Sequence, residues 1–228
     1  MSKESTEGKV LSTQYSLLRL LQLADSAFPS GAYAFSDGLE TLTQRGQVRT
    51  AADLSALLCG QLTHGWGQQD APACALAWGA SAPELTELDD LLSDLKLVRG
   101  PREASLRTGA NLRRAALHLW PQELAALPPT RHQATTFGAV AAALGVGRRA
   151  ALEGYVSAWL LGRVASATKL MKLGGLEAQR AARLAEAAAG ACIERALVAG
   201  PGDLGGFSPL LDIAASEQAG LETRLFQS

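Results

Sequence analysis

Residues Leu17–Glu40 read LLRLLQLADSAFPSGAYAFSDGLE. An apolar helical run, a Phe28-Pro29-Ser30-Gly31 break and a segment of small and aromatic residues follow one another without a polar linker. Within Tyr15–Leu23, leucines at 17, 18, 20, 21 and 23 cover most of a helix surface. Such a helix is buried widely or meets a partner. Pro29 disfavours helix at Phe28 and ends the run. Gly31 permits close backbone approach, and Ala32–Gln44 reads as a second helix stopping near Gly46. The rest of the chain is expected to pack around this unit.

Helical signals continue outward. Thr50 as cap and Asp53 in the first turn begin a helix to Trp66, and Asp70–Gly79 reads as a short one. Ser81-Ala82-Pro83-Glu84 is a helix start. Gly100-Pro101 opens a helix to about Trp120, and Gln133–Leu144, Arg148–Lys172 and Leu176–Val198 follow. Ser208-Pro209 starts a final short helix, with Ser208 as cap. No segment alternates apolar and polar residues, so the fold class is all-α. The expected architecture is a single helical bundle domain of roughly ten helices with a C-terminal docking tail. Residues 1–12 are expected to be disordered, 13–200 to form the domain, and 201–228 to be a glycine-rich connector and tail of that same domain.

The chain has 228 residues, 47% of them hydrophobic and 19% charged, which is a globular composition. A formal net charge of −1 argues against a nucleic-acid protein. Cys59, Cys74 and Cys192 form no framework and favour free thiols in a reducing compartment. No apolar run is long enough to suggest a membrane span, and the polar first residues carry no apolar signal core. A cytoplasmic location is the expectation.

Sites of chemistry are weak. His64, His118 and His132 stand apart, and no CxxC or HExxH occurs, so no metal cage and no directly bound cofactor is expected. No P-loop pattern is present, and Gly145-Val146-Gly147 before Arg148 and Arg149 reads as a tight turn with solvated arginines. Ala34–Gly38 resembles a G-x-S-x-G elbow, which keeps a serine hydrolase as an alternative. That elbow needs a preceding strand, and a helix is expected here, so Ser36 and Asp37 read better as local hydrogen-bonding groups. Asp89-Asp90 and Glu84/Glu87 read as a solvated face. Arg102, Arg107, Arg113 and Arg114, with Glu103 able to pair with Arg107, form a surface ladder or a docking face.

Three blocks together resemble the urease accessory protein UreF family. The first is Leu21–Ser26, Pro29–Tyr33 and Ser36–Glu40. The second runs from Tyr155–Trp159 through Leu173-Gly174 to Gln179-Arg180, and the third from Ser208–Ala214 through Arg224-Leu225-Phe226 to Ser228. The resemblance implies an all-α homodimer without enzymatic activity. It implies a scaffold bridging UreD (also called UreH) and the GTPase UreG, with nickel delivered by the assembly to apo-urease and GTP bound by UreG. The partner-binding residues it implies are Ser30, Gly31, Tyr33, Phe35, Ser36, Glu40, Gln179, Arg180, Asp212, Arg224, Leu225 and Phe226. The tail is expected to be mobile alone and to order against UreD. The chain departs from the family at Phe35, where many relatives have His or Tyr, and at Gly175, where Gln is usual. It also has Gln218-Ala219 in place of a frequent His-Glu pair and Glu222 in place of Tyr. A generic helical adaptor or ligand-binding domain is the other alternative.

Overall fold

The computed structural model describes residues 15–221 and 225–226, except the side chains of Tyr33 and Ala219. The segment 1–12, the Tyr33 side chain and Arg224 therefore lie outside the described residues. The described chain forms eleven α-helices and no β-strand. They are α1 Ser16–Ala24, α2 Leu39–Gln44, α3 Ala51–His64, α4 Trp66–Ala77, α5 Ala82–Leu95, α6 Arg99–Leu119, α7 Gln133–Ala143, α8 Arg148–Leu170, α9 Gly175–Leu184, α10 Glu186–Val198 and α11 Pro209–Glu217. The all-α bundle is the architecture expected from the periodicity.

Helices α4 and α7 form the centre, because neither has a polar face. Residues 134–141 of α7 are all buried. In α4 the run Asp70–Ala75 is buried, with Asp70 answered by Lys96 at 2.6 Å. The two helices meet at Gly138, where a Cβ would lie 2.2 Å from the Cys74 carbonyl oxygen. Helices α3, α5, α8 and α10 pack on α4, and α6 packs on α7.

Pro72 lies inside α4. Its missing N–H leaves the Gln68 carbonyl without an intrahelical donor. Gly205 supplies one, its N–H donating to Gln68 O at 3.0 Å. Phe207 N–H donates to His64 O at 2.7 Å, and Gln69 Nε2 donates to Gly206 O at 3.0 Å. The glycine-rich connector is thus hydrogen-bonded to the α3–α4 junction.

Several helix boundaries differ from the sequence expectation. Ala32–Gln44 is a 3₁₀ turn at Ala32–Ala34 followed by α2, because Asp37 and Gly38 take positive φ of 46° and 89°. The expected Thr50–Trp66 helix stops at His64, and α4 begins at Trp66, four residues before the expected start. Leu176–Val198 divides into α9 and α10 at Ala185. Thr50 and Asp53 do form the reciprocal cap of α3, at 3.1 and 2.9 Å. Ser208 makes no side-chain cap to α11; its hydroxyl accepts from Gln61 instead, at 2.5 Å. On α1, Leu20 and Leu23 are buried, whereas Leu17, Leu18 and Leu21 are 64, 64 and 58% exposed. Wide burial of that helix is therefore excluded.

Two charge assignments are also corrected. Glu103 pairs with Arg99 at 2.7 Å, and Arg107 lies over the Phe35 ring, 5.6 Å from its centroid. Asp89 is not solvated but 1% exposed. It accepts from Arg131 N, His132 N and Thr135 Oγ1 at 2.8, 2.9 and 2.6 Å, so a carboxylate from α5 satisfies the N-terminus of α7. His132 lies beside it, with Ser93 Oγ 2.9 Å from Nε2 and Ser105 Oγ 3.0 Å from Nδ1. Burial, reinforced by the Lys96 charge and only partly opposed by Asp89, lowers the imidazole pKa from 6.5 to about 4.

Two measurements probe this core. Gly138→Ala is expected to cost about 3 kcal/mol or more in denaturant unfolding, since backbone must move aside. Gly60→Ala, within α3 and with nothing within 4 Å of the added carbon, is expected to gain about 0.5–1 kcal/mol. The His132 contribution is complete above pH 6.5 and is lost as pH falls towards 4, because the unfolded chain takes the proton first. The difference amounts to about 3 kcal/mol, and His132→Asn is expected to flatten the wild-type stability loss over that acid range.

Candidate functional site at the junction of opening segment and tail

The break after α1 is held from several sides. The Asp25 carboxylate accepts from Ala27 N at 2.6 Å and turns the chain out of the helix. Phe28 stacks on Trp120, with centroids 6.2 Å apart, and Asn111 Nδ2 donates to Ser30 O at 3.2 Å. Gly31 has φ 76° and is exposed, while Ser30 is 9% exposed. Phe35 and Ser36 turn inward, at 6 and 1% exposure. Asp37 pairs with Arg163 of α8. No strand precedes Ser36, only a 3₁₀ turn, and its hydroxyl accepts from the Gln218 amide at 3.0 Å, so the elbow geometry is missing.

The tail closes on this segment. Gly38 lets α11 approach: a Cβ there would lie 2.9 Å from Leu211 O. Buried Gln218 spans the gap; its Oε1 accepts from Gly38 N at 3.3 Å, and its Nε2 donates to Ser36 Oγ and to Glu40 Oε2, at 3.0 and 3.2 Å. Glu40 has no exposed surface. Its Oε1 accepts from Leu225 N at 2.6 Å, and its Oε2 accepts from Phe226 N at 3.2 Å. Phe226 is buried, with Lys169 Nζ 5.8 Å from its ring centroid, and Leu225 is 71% exposed. Arg45 and Glu217 pair across the outside at 2.6 Å.

The first and third sequence blocks are thereby one unit. Ser36, Glu40 and Phe226 build its inside; Gly31 and Leu225 lie on its outside. Asp212 lies half-buried in the first turn of α11, where burial raises its carboxyl pKa. Gln179 and Arg180 are exposed on α9, and Arg180 pairs with Glu177 at 3.0 Å. Among the described residues no hydrogen bond or ion pair joins those two to the junction. In the sequence Gln218 stands out only as a departure from the family, and Arg163 not at all; neither carries a local signal, since each acts on a residue more than a hundred positions away.

Behind the junction lie two adjoining cavities of about 250 and 110 Å³. They share the Asp37–Arg163 and Asp70–Lys96 pairs and the Trp66–Trp159 stack. Among the described residues no group of three or more His, Cys, Asp or Glu side chains is gathered to hold a metal ion. The three cysteines are free thiols; burial pushes Cys192 up to about 11. No described helix is long and apolar enough to cross a membrane.

Fold and junction define a protein, all-helical over its described residues, whose opening segment and tail meet on one face. The UreF family model matches residues 48–186. A protein named urease accessory protein UreF from Arthrobacter sp. (strain FB24) is 34% identical, covering 92% of this chain and 96% of its own length. Those of the same name from Chromohalobacter salexigens and Azoarcus sp. (strain BH72) are 32 and 33% identical, over 98 and 93% of this chain. The chain belongs to the UreF family of urease accessory proteins.

The junction yields its own test. Glu40→Gln removes an acceptor and sets an amide N–H against backbone donors, at an expected cost of about 2 kcal/mol. Protease cutting after residue 208 is expected to accelerate, while Arg180→Ala cuts as wild type. An unchanged Glu40→Gln rate would show that another contact holds the tail.

Proposed function

We propose that this protein is a non-catalytic urease maturation factor. In this proposal it acts as a homodimer in the cytoplasm, bridging UreD/UreH and the GTPase UreG during nickel insertion into apo-urease. Family membership supports the maturation role. The observation that carries the bridging role is the Glu40 carboxylate, which joins opening segment and tail into one surface. A scaffold works through area and a few anchors, and anchors need a rigid base. Here the base is buried Ser36, Glu40, Gln218 and Phe226, and the parts open to a partner are Gly31 and Leu225. Nickel and GTP belong in this proposal to the partners and to the cargo, not to a site resident on this chain.

The decisive experiment is urease activation in cells lacking the gene, with nickel content measured alongside. Nickel-poor, weakly active urease is expected, restored by the wild-type gene. Fully nickel-loaded urease without it ends this proposal. In pull-downs, Leu225→Asp is expected to weaken capture of UreD or UreG by about tenfold with the melting temperature unchanged.

A further inference from the structure

We propose that the inner cavity of about 110 Å³ is a binding site for a small neutral carbonyl compound of the amide class, accepting hydrogen bonds from Tyr155 and Arg163. Tyr155, Trp159 and Arg163 recur every four residues on α8, so they share one face of the helix. The buried Tyr155 hydroxyl and the buried Arg163 Nη1 have no hydrogen-bond partner among the described residues. An unpaired buried donor is costly, and both donors belong to residues that line the cavity. Burial pushes the Tyr155 phenol well above its ordinary range, so the hydroxyl keeps its proton to donate.

Charge selects the class. The wall carries two cations, each already facing a carboxylate, Arg163 with Asp37 and Lys96 with Asp70 at 2.6 Å, and a third carboxylate, Asp25, which accepts from Ala27 N. An added anion would deepen the negative excess of that wall in a half-enclosed space, a costly state without a counter-ion. A neutral carbonyl accepts from the orphaned donors and adds no charge. The Asp carboxylates on the same wall accept from N–H groups, which an amide carries and a carboxylate lacks. Trp66 and Trp159 stack 4.5 Å apart by centroid, giving the cavity a flat aromatic side that suits a planar group. The space exceeds what one water needs and suits a molecule of a few heavy atoms. None of this depends on the maturation role.

The test titrates the full-length chain with acetamide and, separately, with acetate, following the indole signals of Trp66 and Trp159 by NMR. Saturable shifts with acetamide are expected, with acetate weaker by about tenfold or more. Tyr155→Phe keeps the ring and removes the donor, and is expected to weaken acetamide by about tenfold. Arg163→Lys keeps the charge and removes the planar fork, and is expected to weaken it similarly; it serves as the readout if Tyr155→Phe fails to fold. Absence of saturable shifts, a soaked crystal with water alone in the cavity, acetate binding as well as acetamide, or wild-type affinity in a folded variant each overturns the proposal.

Discussion

A buried carboxylate must be matched by donors, and Glu40 draws its donors from the far end of the chain. The backbone N–H groups of Leu225 and Phe226 and the amide of Gln218 converge on it. Leaving any of them unpaired in the interior would cost more than one net hydrogen bond contributes. The position of the tail therefore follows from a side chain on α2. Gly38 completes the constraint sterically, because α11 could not come so close to any residue bearing a Cβ. The opening segment and the tail are in this sense one structural element made from two distant stretches.

The same logic of unpaired polar groups runs through the interior. Pro72 removes one donor from α4, and the connector between α10 and α11 enters to supply another. Asp89, from a different helix, supplies acceptors for N–H groups at the buried N-terminal end of α7. The Asp37–Arg163 and Asp70–Lys96 pairs tie the opening segment and α5 to α8 and α4. These defects are answered by specific groups elsewhere in the fold, and the answering groups carry the chain's path. Among the described residues four buried side-chain atoms remain unanswered: Thr41 Oγ1, Arg113 Nε, the Tyr155 hydroxyl and Arg163 Nη1. The last two belong to residues that line one cavity.

In the proposed scaffold role this arrangement matters more than any single exposed residue. Several residues that the family resemblance assigns to partner binding are interior here, and they hold a surface in shape. Exposed apolar residues stand outside it: Leu17, Leu18 and Leu21 on α1, Leu210 and Ile213 on α11, and Leu225 beyond it. In the proposed role, substitution of an interior residue would disturb a partner indirectly, through the position of the tail.

Periodicity and helix-end chemistry in the sequence alone determined the all-α class and most helices, because those signals are local. The reciprocal Thr50–Asp53 cap was legible for that reason. The three ordered blocks were enough to point to the family. The tertiary structure alone decided what the helix breaks are for. Asp37, Gly38 and Pro72 are visible as letters, yet the contacts that exploit them come from Arg163, Leu211 and Gly205. It also decided that Asp89 is interior and that the connector is fixed. Burial and pairing between residues distant along the chain have no periodic signature, since they depend on which helix faces meet, and that is settled by packing the whole core at once.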